Sequence, residues 1–169
     1  FIDKAKINFV GMMTDKWVEV KNYCDKNCIT FNSYGGTFNI ESTKNKDIQE
    51  NMKLIQESIV APAIQTDWQV ENSYIPCRIF KNISYGKMGI TNNQAVNKLF
   101  DNKLIYSEDI EELVIKGLEF EESSSKKEKV IELMKDVRDN HTYVNRIQFI
   151  LDFIKDYSNI SVTKPNSSL

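Results

Sequence analysis

Arg78, Lys81 and Asn82 place two cations and an amide within one short stretch of the chain. The arginine guanidinium offers a planar fork of donors that suits a phosphate, and the lysine ammonium is a compact positive charge. The apolar residues Ile79 and Ile83 recur at helical spacing, so the three polar residues are expected on a helix. These residue types and this spacing predict contact with an anionic ligand, above all a phosphate.

The elements around this helix indicate where such a ligand would lie. Gly86 is suited to the left-handed position after a helix end. Residues 88–90 then predict a short buried strand, and Thr91 and Asn92 a polar turn at its carboxyl end. Ligands of open α/β sheets bind in the crevice beyond the carboxyl ends of the strands. We therefore expect the site at this edge of a sheet.

Strands alternate with helices along the chain. The patterns predict strands at 7–11, 29–31, 58–65, 88–90 and 104–106, and helices at 15–26, 47–56, 94–100, 107–118, 130–137 and 141–154. Residues 65–73 are expected to form a loop, and the tail after Tyr157 to be disordered. In the last helix the residues expected inside are Val144, Ile147, Ile150, Leu151 and Ile154. This alternation predicts a parallel sheet covered by helices on both faces.

Two further loops follow predicted strands. Gly11 ends the first strand, and a segment containing Asn32, Ser33, Gly35 and Gly36 follows the second. Glycines there permit positive φ or a close backbone approach to a phosphate, but a plain turn explains them equally well.

Two aromatic residues precede the predicted helix. Trp68 and Tyr74 could stack on a base or a sugar, or pack at the junction of loop and helix.

Composition narrows the class of protein. The 169 residues are 41% hydrophobic and 27% charged, with a net charge of −2. An acidic pI near 5.6 argues against a nucleic-acid or anionic-membrane partner. No apolar run reaches the roughly 20 residues of a membrane helix, and the first residues lack the apolar core of a signal peptide. We expect a cytoplasmic protein and, because no initiator Met is present, a fragment of a longer chain.

Catalytic and metal-binding signatures are sparse. The sequence has no Gly-x-Ser-x-Gly elbow, Walker A loop or Gly-x-Gly-x-x-Gly motif. The single histidine, His141, starts a helix, which favours a capping or packing role over that of a general base. Three cysteines leave an odd count; we expect buried thiols rather than a metal pair at Cys24 and Cys28. These motifs name no catalytic residue.

Two motifs resemble a known family. Residues 78–86, Arg-Ile-Phe-Lys-Asn-Ile-Ser-Tyr-Gly, with Gly89 and Thr91 after them, resemble the "Arg-x-Phe-Glu-x-x-Ala-x-Gly" helix and following strand of two-domain GT-B glycosyltransferases. Residues 141–146, His-Thr-Tyr-Val-Asn-Arg, are similar to the closing "His-Thr-Tyr-x-x-Arg" helix of the spore-maturation-like type with a group 1 transferase domain. The order of elements matches over residues 6–155.

The resemblance implies a Rossmann-like domain that is the C-terminal half of a GT-B enzyme. Residues 1–157 would bind a nucleotide diphosphate sugar, residues 158–169 would be a tail, and an N-terminal acceptor domain would lie outside this chain. The enzyme would transfer the sugar to an acceptor hydroxyl of a sugar or glycan. No metal or cofactor is implied, because helix dipoles and basic side chains stabilise the leaving diphosphate in this fold. The expected donor-binding residues are Gly11, Asn32, Ser33, Gly35, Trp68, Tyr74, Arg78, Lys81, Asn82, Thr91 and Asn92.

Two positions depart from the family pattern. Lys81 stands where the family has a glutamate that holds the ribose, and Ser73 stands where many relatives have a glutamate that contacts the sugar. These departures leave two alternatives open. One is a non-catalytic nucleotide-binding or scaffold module, and the other is a nucleotide-sugar epimerase-like enzyme.

Overall fold

A computed structural model describes residues 5–35 and 47–158, and over these ranges the chain is a mixed α/β protein. The strands are β1 (Lys6–Val10), β2 (Thr30–Tyr34), β3 (Ile90–Thr91) and β4 (Ile105–Tyr106). The helices are α1 (Asp15–Lys26), α2 (Ile48–Glu57), α3 (Asp67–Glu71), α4 (Cys77–Ser84), α5 (Gln94–Leu99), α6 (Ile110–Glu121), α7 (Lys126–Asn140) and α8 (Tyr143–Ser158). Gly36 and the predicted disordered tail from residue 159 onward lie outside the described residues.

The described strands form two small parallel sheets. β1 pairs with β2 from Lys6↔Thr30 to Val10↔Tyr34, and β3 pairs with β4 at Ile90↔Ile105 and Thr91↔Tyr106. The parallel pairing predicted from the alternation of elements is therefore present. The predicted extent of the sheet is greater than these two pairs.

Residues 58–65 were expected to be a strand, and over most of their length this is wrong. The Ile59 N–H donates to the Lys6 carbonyl at 2.7 Å, and the Ala63 N–H donates to the Ile90 carbonyl at 2.8 Å. Between these contacts, Pro62 has no N–H to give to a ladder. The segment therefore contacts β1 at one end and β3 at the other, with a single parallel bridge at Ala63↔Thr91.

Capping residues set several helix ends. Asp47 and Glu50 form the predicted capping box, in which the Glu50 N–H donates to Asp47 Oδ1 at 2.7 Å. Gly86 follows α4 with φ +83°, the left-handed conformation expected after the helix end. The prediction of a loop over 65–73 is wrong for Asp67–Glu71, because Thr66 and Gln69 form a second capping box that starts α3.

The second strand extends further than predicted. Asn32, Ser33 and Tyr34 were expected in a loop, but they pair in register with Asn8, Phe9 and Val10. The pairing satisfies their backbone groups, which a loop would leave to solvent.

One hydrophobic core joins β1, β3 and most helices. Its fully buried members include Ile7, Ile79, Ile83, Phe100 and Leu113. Helix α1 packs on α6, α4 packs on α7, and α2 packs on β1. Burial raises the pKa of the Cys24 thiol to about 11, which fits the expectation of a buried thiol there. That expectation is wrong for Cys28 and Cys77, which are exposed.

Helix α8 contributes nothing to this core. The five residues expected inside are exposed, from 42% at Ile154 to 75% at Val144. Helical spacing reveals an apolar face but not whether another element covers it. None of the helices in the described ranges is both long and apolar enough to span a membrane.

Gly86 allows a test of the backbone strain at the end of α4. A Cβ added there has no atom within 4 Å, so Gly86→Ala introduces no clash and adds only the backbone strain of an alanine at φ +83°. We expect the free energy of unfolding in urea to fall by about 1 kcal/mol. Gly86→Asn should lose less, because asparagine tolerates the left-handed region better. Equal stability of the alanine variant and the wild type would contradict this account.

Candidate anion-binding site

The Arg78 side chain lies across the end of β1. Its Cζ is 4.5 Å from the centroid of the Phe9 ring and 6.0 Å from that of Trp17. Those two rings are in contact, with centroids 3.9 Å apart. A methyl group at Gly11 would collide with the Arg78 guanidinium. The guanidinium is thus held by stacking on an aromatic pair, and the missing side chain at Gly11 leaves room for it.

Gly11 and Gly35 bring the carboxyl ends of β1 and β2 together. The Gly11 N–H donates to the Tyr34 carbonyl at 2.8 Å, and a Cβ on Gly35 would lie 3.5 Å from the Gly11 nitrogen. Both glycines have positive φ, +149° and +102°. Gly11, Gly35 and Arg78, which are far apart in sequence, therefore meet at one edge of the sheet.

The charge of Arg78 is not compensated within the described residues. Its guanidinium makes no ion pair and no hydrogen bond with residues 5–35 or 47–158. Burial lowers the pKa of Arg78 from its ordinary value, and only the neighbouring Cys77 thiol opposes this. A half-buried cation without a counter-charge is unfavourable, and a bound anion would remove that cost.

Arg78 borders a cavity of about 190 Å³. The cavity lies between β1, residues 61–62, α2 and α4, and it is lined by Asn8, Phe9, Val10, Trp17, Ile48, Asn51, Ile55, Ala61, Pro62, Cys77, Arg78, Lys81, Asn82 and Tyr85. These lining residues include two cations and no carboxylate. Because ligand pockets usually measure about 300–1,000 Å³, the cavity suits a single phosphate-sized group rather than a whole nucleotide.

The loop after β1 adds a hydroxyl to this edge. Thr14 is the N-cap residue of α1, yet its side chain caps nothing. Its Oγ1 is buried and has no hydrogen-bond partner among the described residues. Amide groups at a helix N-terminus favour anions. The Thr14 hydroxyl is therefore a buried polar group, three residues after Gly11, without a partner among the described residues.

Asn32 and Ser33 lie on β2, within the sheet. The Asn32 Nδ2 donates to Asn8 Oδ1 at 2.9 Å, and the Asn8 Nδ2 donates to the Leu54 carbonyl at 2.8 Å. Ser33 pairs with Phe9 across the ladder. Asn32 is therefore linked to the cavity through Asn8, which lines it.

Three expected ligand residues already have structural partners. The Asn82 Nδ2 donates to the Ala61 carbonyl at 2.7 Å. The Asn92 Oδ1 accepts from the Gln65 N–H, and the Asn92 Nδ2 donates to the Gln65 carbonyl, both at 2.9 Å. Thr91 is fully buried, and its Oγ1 accepts from the Asn93 N–H. The side chains of Asn82 and Asn92 therefore hold residues 61–65 against α4 and the end of β3.

Trp68 and Tyr74 lie outside the Arg78 cavity. Trp68 is 67% exposed on α3, which is held near the start of α1 by the Lys16–Asp67 ion pair at 3.4 Å. Tyr74 lines a second cavity of about 230 Å³, together with Lys81. Lys81 and Cys77 border both cavities, so the two cavities meet at this part of α4.

His141 has the packing role that its position suggested. It is the C-cap residue of α7, and its ring lies 5.4 Å from that of Phe80 and 4.9 Å from that of Phe100. Its Nε2 is 3.9 Å from an Asp136 carboxylate oxygen. No group of three or more metal-ligating side chains occurs in the described parts of the chain.

Sequence reasoning missed the roles of Asn8, Phe9 and Trp17. Asn8 was visible as a polar residue inside an otherwise apolar strand, and buried polar groups of that kind are normally hydrogen-bonded. Phe9 and Trp17 looked like ordinary core residues. Only their position under the guanidinium of Arg78 shows that they also support a cation.

Comparison with known proteins adds no relative: no family model, no curated protein and no solved structure matches this chain. Any functional assignment therefore depends on the site itself.

Asn82 and Lys81 are adjacent residues with different expected roles. Asn82→Ala leaves the buried Ala61 carbonyl without its donor and should lower the free energy of unfolding by about 1–3 kcal/mol. Lys81→Ala, a change at an exposed position, should alter it by less than about 0.5 kcal/mol. Urea denaturation of both variants measures the difference. A stable Asn82→Ala variant would show that its bond to Ala61 is dispensable and would leave the amide free for a ligand.

Proposed function

We propose that this chain is the donor-binding half of a glycosyltransferase, and that it binds the diphosphate of a nucleotide sugar. The observation that carries the proposal is the half-buried Arg78 guanidinium, which lacks a counter-charge among the described residues and lies at the carboxyl end of β1. Resemblance of residues 78–86 and 141–146 to motifs of GT-B enzymes supports the same reading.

In this proposal the phosphate nearest the sugar occupies the Arg78 cavity. Arg78 donates to its oxygens, Lys81 adds a second positive charge from the cavity wall, and Gly11 and Gly35 leave room for close backbone approach. The volume of about 190 Å³ holds one phosphate. The nucleoside then extends along the open edge, where the exposed Trp68 provides a flat apolar surface.

The proposed reaction forms one bond and breaks one. The acceptor hydroxyl oxygen bonds to the anomeric carbon, and the bond between that carbon and the diphosphate oxygen breaks. The electron pair stays on the departing diphosphate, where Arg78 stabilises the added charge. The acceptor proton passes to a base on the acceptor half, since the described residues that line the Arg78 cavity include no carboxylate.

We also propose that the two small sheets belong to one Rossmann-like parallel sheet. Residues 58–65 would occupy the middle position without forming a continuous strand, giving the spatial order β2, β1, 58–65, β3, β4. The hydrogen bonds from Ile59 to Lys6 and from Ala63 to Ile90 support this order. In an α/β sheet of this order the ligand crevice lies where the order reverses, between β1 and residues 58–65. Arg78 lies at that point.

A non-catalytic nucleotide-binding module is the second candidate. It is favoured by the residues at the two departures from the family pattern, Lys81 and Ser73, neither of which can act as the missing carboxylates. Such a module would bind the nucleoside diphosphate as described but would show no transfer in the full-length protein. An epimerase-like enzyme would release an isomerised nucleotide sugar instead.

The Arg78 assignment is tested by titrating the chain with UDP, GDP, ADP and TDP and following thermal unfolding. One diphosphate at 100 times its dissociation constant should stabilise the fold by about 2.7 kcal/mol. Arg78→Met replaces the side chain with an apolar one of similar length and removes the charge that lies over Phe9, and it should weaken binding by about 1.5 kcal/mol or more. Unchanged nucleotide affinity in a folded Arg78→Met variant would refute the assignment.

We also predict the stability of the ligand-free Arg78→Met variant. Because the desolvated guanidinium has no counter-charge among the described residues, the free energy of unfolding of this variant should equal or exceed that of the wild type. The matched control is Lys81→Met, an exposed cation on the same helix. If Arg78→Met destabilises the ligand-free chain by more than about 2 kcal/mol, its stacking on Phe9 is structural rather than a preparation for a ligand.

A further inference from the structure

Helix α8 exposes an apolar surface that no described element covers. Tyr143 and Tyr157 are 78% and 80% exposed, and Phe149 and Phe153 are exposed between them. At about 150–250 Å² for each aromatic side chain, α8 alone presents at least as much apolar area as the ~300–600 Å² of a typical monomer's largest patch. Such a surface indicates an interaction site.

One face of α8 borders an open cleft. Phe149 and Ile150 line a cavity of about 600 Å³ together with Ile75 and Leu99 of the main body. Arg146 also lines this cleft, and its Cζ is 5.1 Å from the centroid of the Phe80 ring and 5.8 Å from that of Tyr143. The cleft thus combines four apolar side chains with the polar side chains of Asn140, His141, Asn145 and Arg146, and its volume admits side chains from another helix.

The residues of this face are arranged symmetrically along the helix. Arg146, Phe149, Phe153 and Asp156 follow at spacings of three, four and three residues, which places them in one stripe. The stripe is symmetric about Leu151. A second α8 lying antiparallel, with its midpoint at the same place, brings Arg146 level with the second copy's Asp156 and Phe149 level with the second copy's Phe153.

The two charged residues are available for such a pairing. Within the described residues, the side chains of Arg146 and Asp156 have no ion pair and no hydrogen bond. Each lies beside an apolar stretch, and an opposite charge from a second copy would satisfy both at once. Charge complementarity across a two-fold axis is characteristic of isologous dimers, in which the same patch serves on both subunits.

We propose that the chain forms a two-fold dimer through antiparallel α8 helices, with Arg146 of each copy paired with Asp156 of the other. Helix α8 has 16 residues and is about 24 Å long. Together with the cleft residues it offers apolar area of the order of the ~800 Å² per partner that stable interfaces bury. The partner is thus a second copy of this chain, and the inference does not depend on the proposed function.

Analytical ultracentrifugation of the 169-residue chain tests this dimer by reversal of charge. Arg146→Asp and Asp156→Arg should each raise the dissociation constant roughly a hundredfold, since each sets like charges opposite one another. The double variant, and an equal mixture of the two single variants, should both regain the wild-type dissociation constant. The weakening by each single variant is specific to antiparallel helices, because in a parallel pair Arg146 would already face Arg146 and Asp156 would already face Asp156.

Glu119→Arg is the matched control. It makes the same charge change as Asp156→Arg, but at an exposed position of α6, outside the stripe on α8. It should leave the dimer intact. Because Arg146, Asp156 and Glu119 are all exposed, none of these variants should unfold the chain, and circular dichroism checks this.

Three results would overturn the proposal. The first is a wild-type chain that is monomeric at every concentration tested. The second is a dimer that the charge reversals do not weaken, which would place the interface elsewhere. The third is a monomer that binds phosphatidylcholine vesicles through α8, which would assign the apolar face to a lipid surface.

Discussion

The stacking of one guanidinium on one aromatic pair is the constraint on which the candidate site depends. Arg78 lies over Phe9 and beside Trp17, and this arrangement requires that a residue without a side chain follow β1. Gly11 meets that requirement. The hydrogen bond from Gly11 to Tyr34 then fixes the second strand at the same edge. A change at either ring or at Gly11 would move the cation away from its cavity.

The polar residues around this cation divide into two groups. Asn82 and Asn92 are occupied by backbone partners and hold residues 61–65 in place. Arg78 and the Thr14 hydroxyl have no such partners among the described residues. Buried polar groups are normally satisfied, so these two groups are the basis of the anion-binding proposal. The first group builds the frame, and the second is the part that we propose contacts a ligand.

Local signals in the sequence predicted most of the secondary structure. The capping box at Asp47, the glycine at 86 and the periodicity of α1, α4 and α6 depend on neighbouring residues only, and all of them appear as expected. The errors occur where distant partners decide. Residues 32–34 are a strand because β1 lies beside them, and residues 58–65 are mostly not a strand because Pro62 interrupts the ladder.

The sequence by itself determined that the chain is mixed α/β, that its strands pair in parallel, and that a cationic helix precedes β3. These properties follow from composition and from short-range periodicity. Only the tertiary structure decided that Arg78 is half-buried without a counter-charge in the described chain, that Asn82 is a structural residue, and that α8 is exposed rather than packed. Each of these properties depends on contacts between residues that are distant in sequence, and short-range sequence patterns do not predict such contacts.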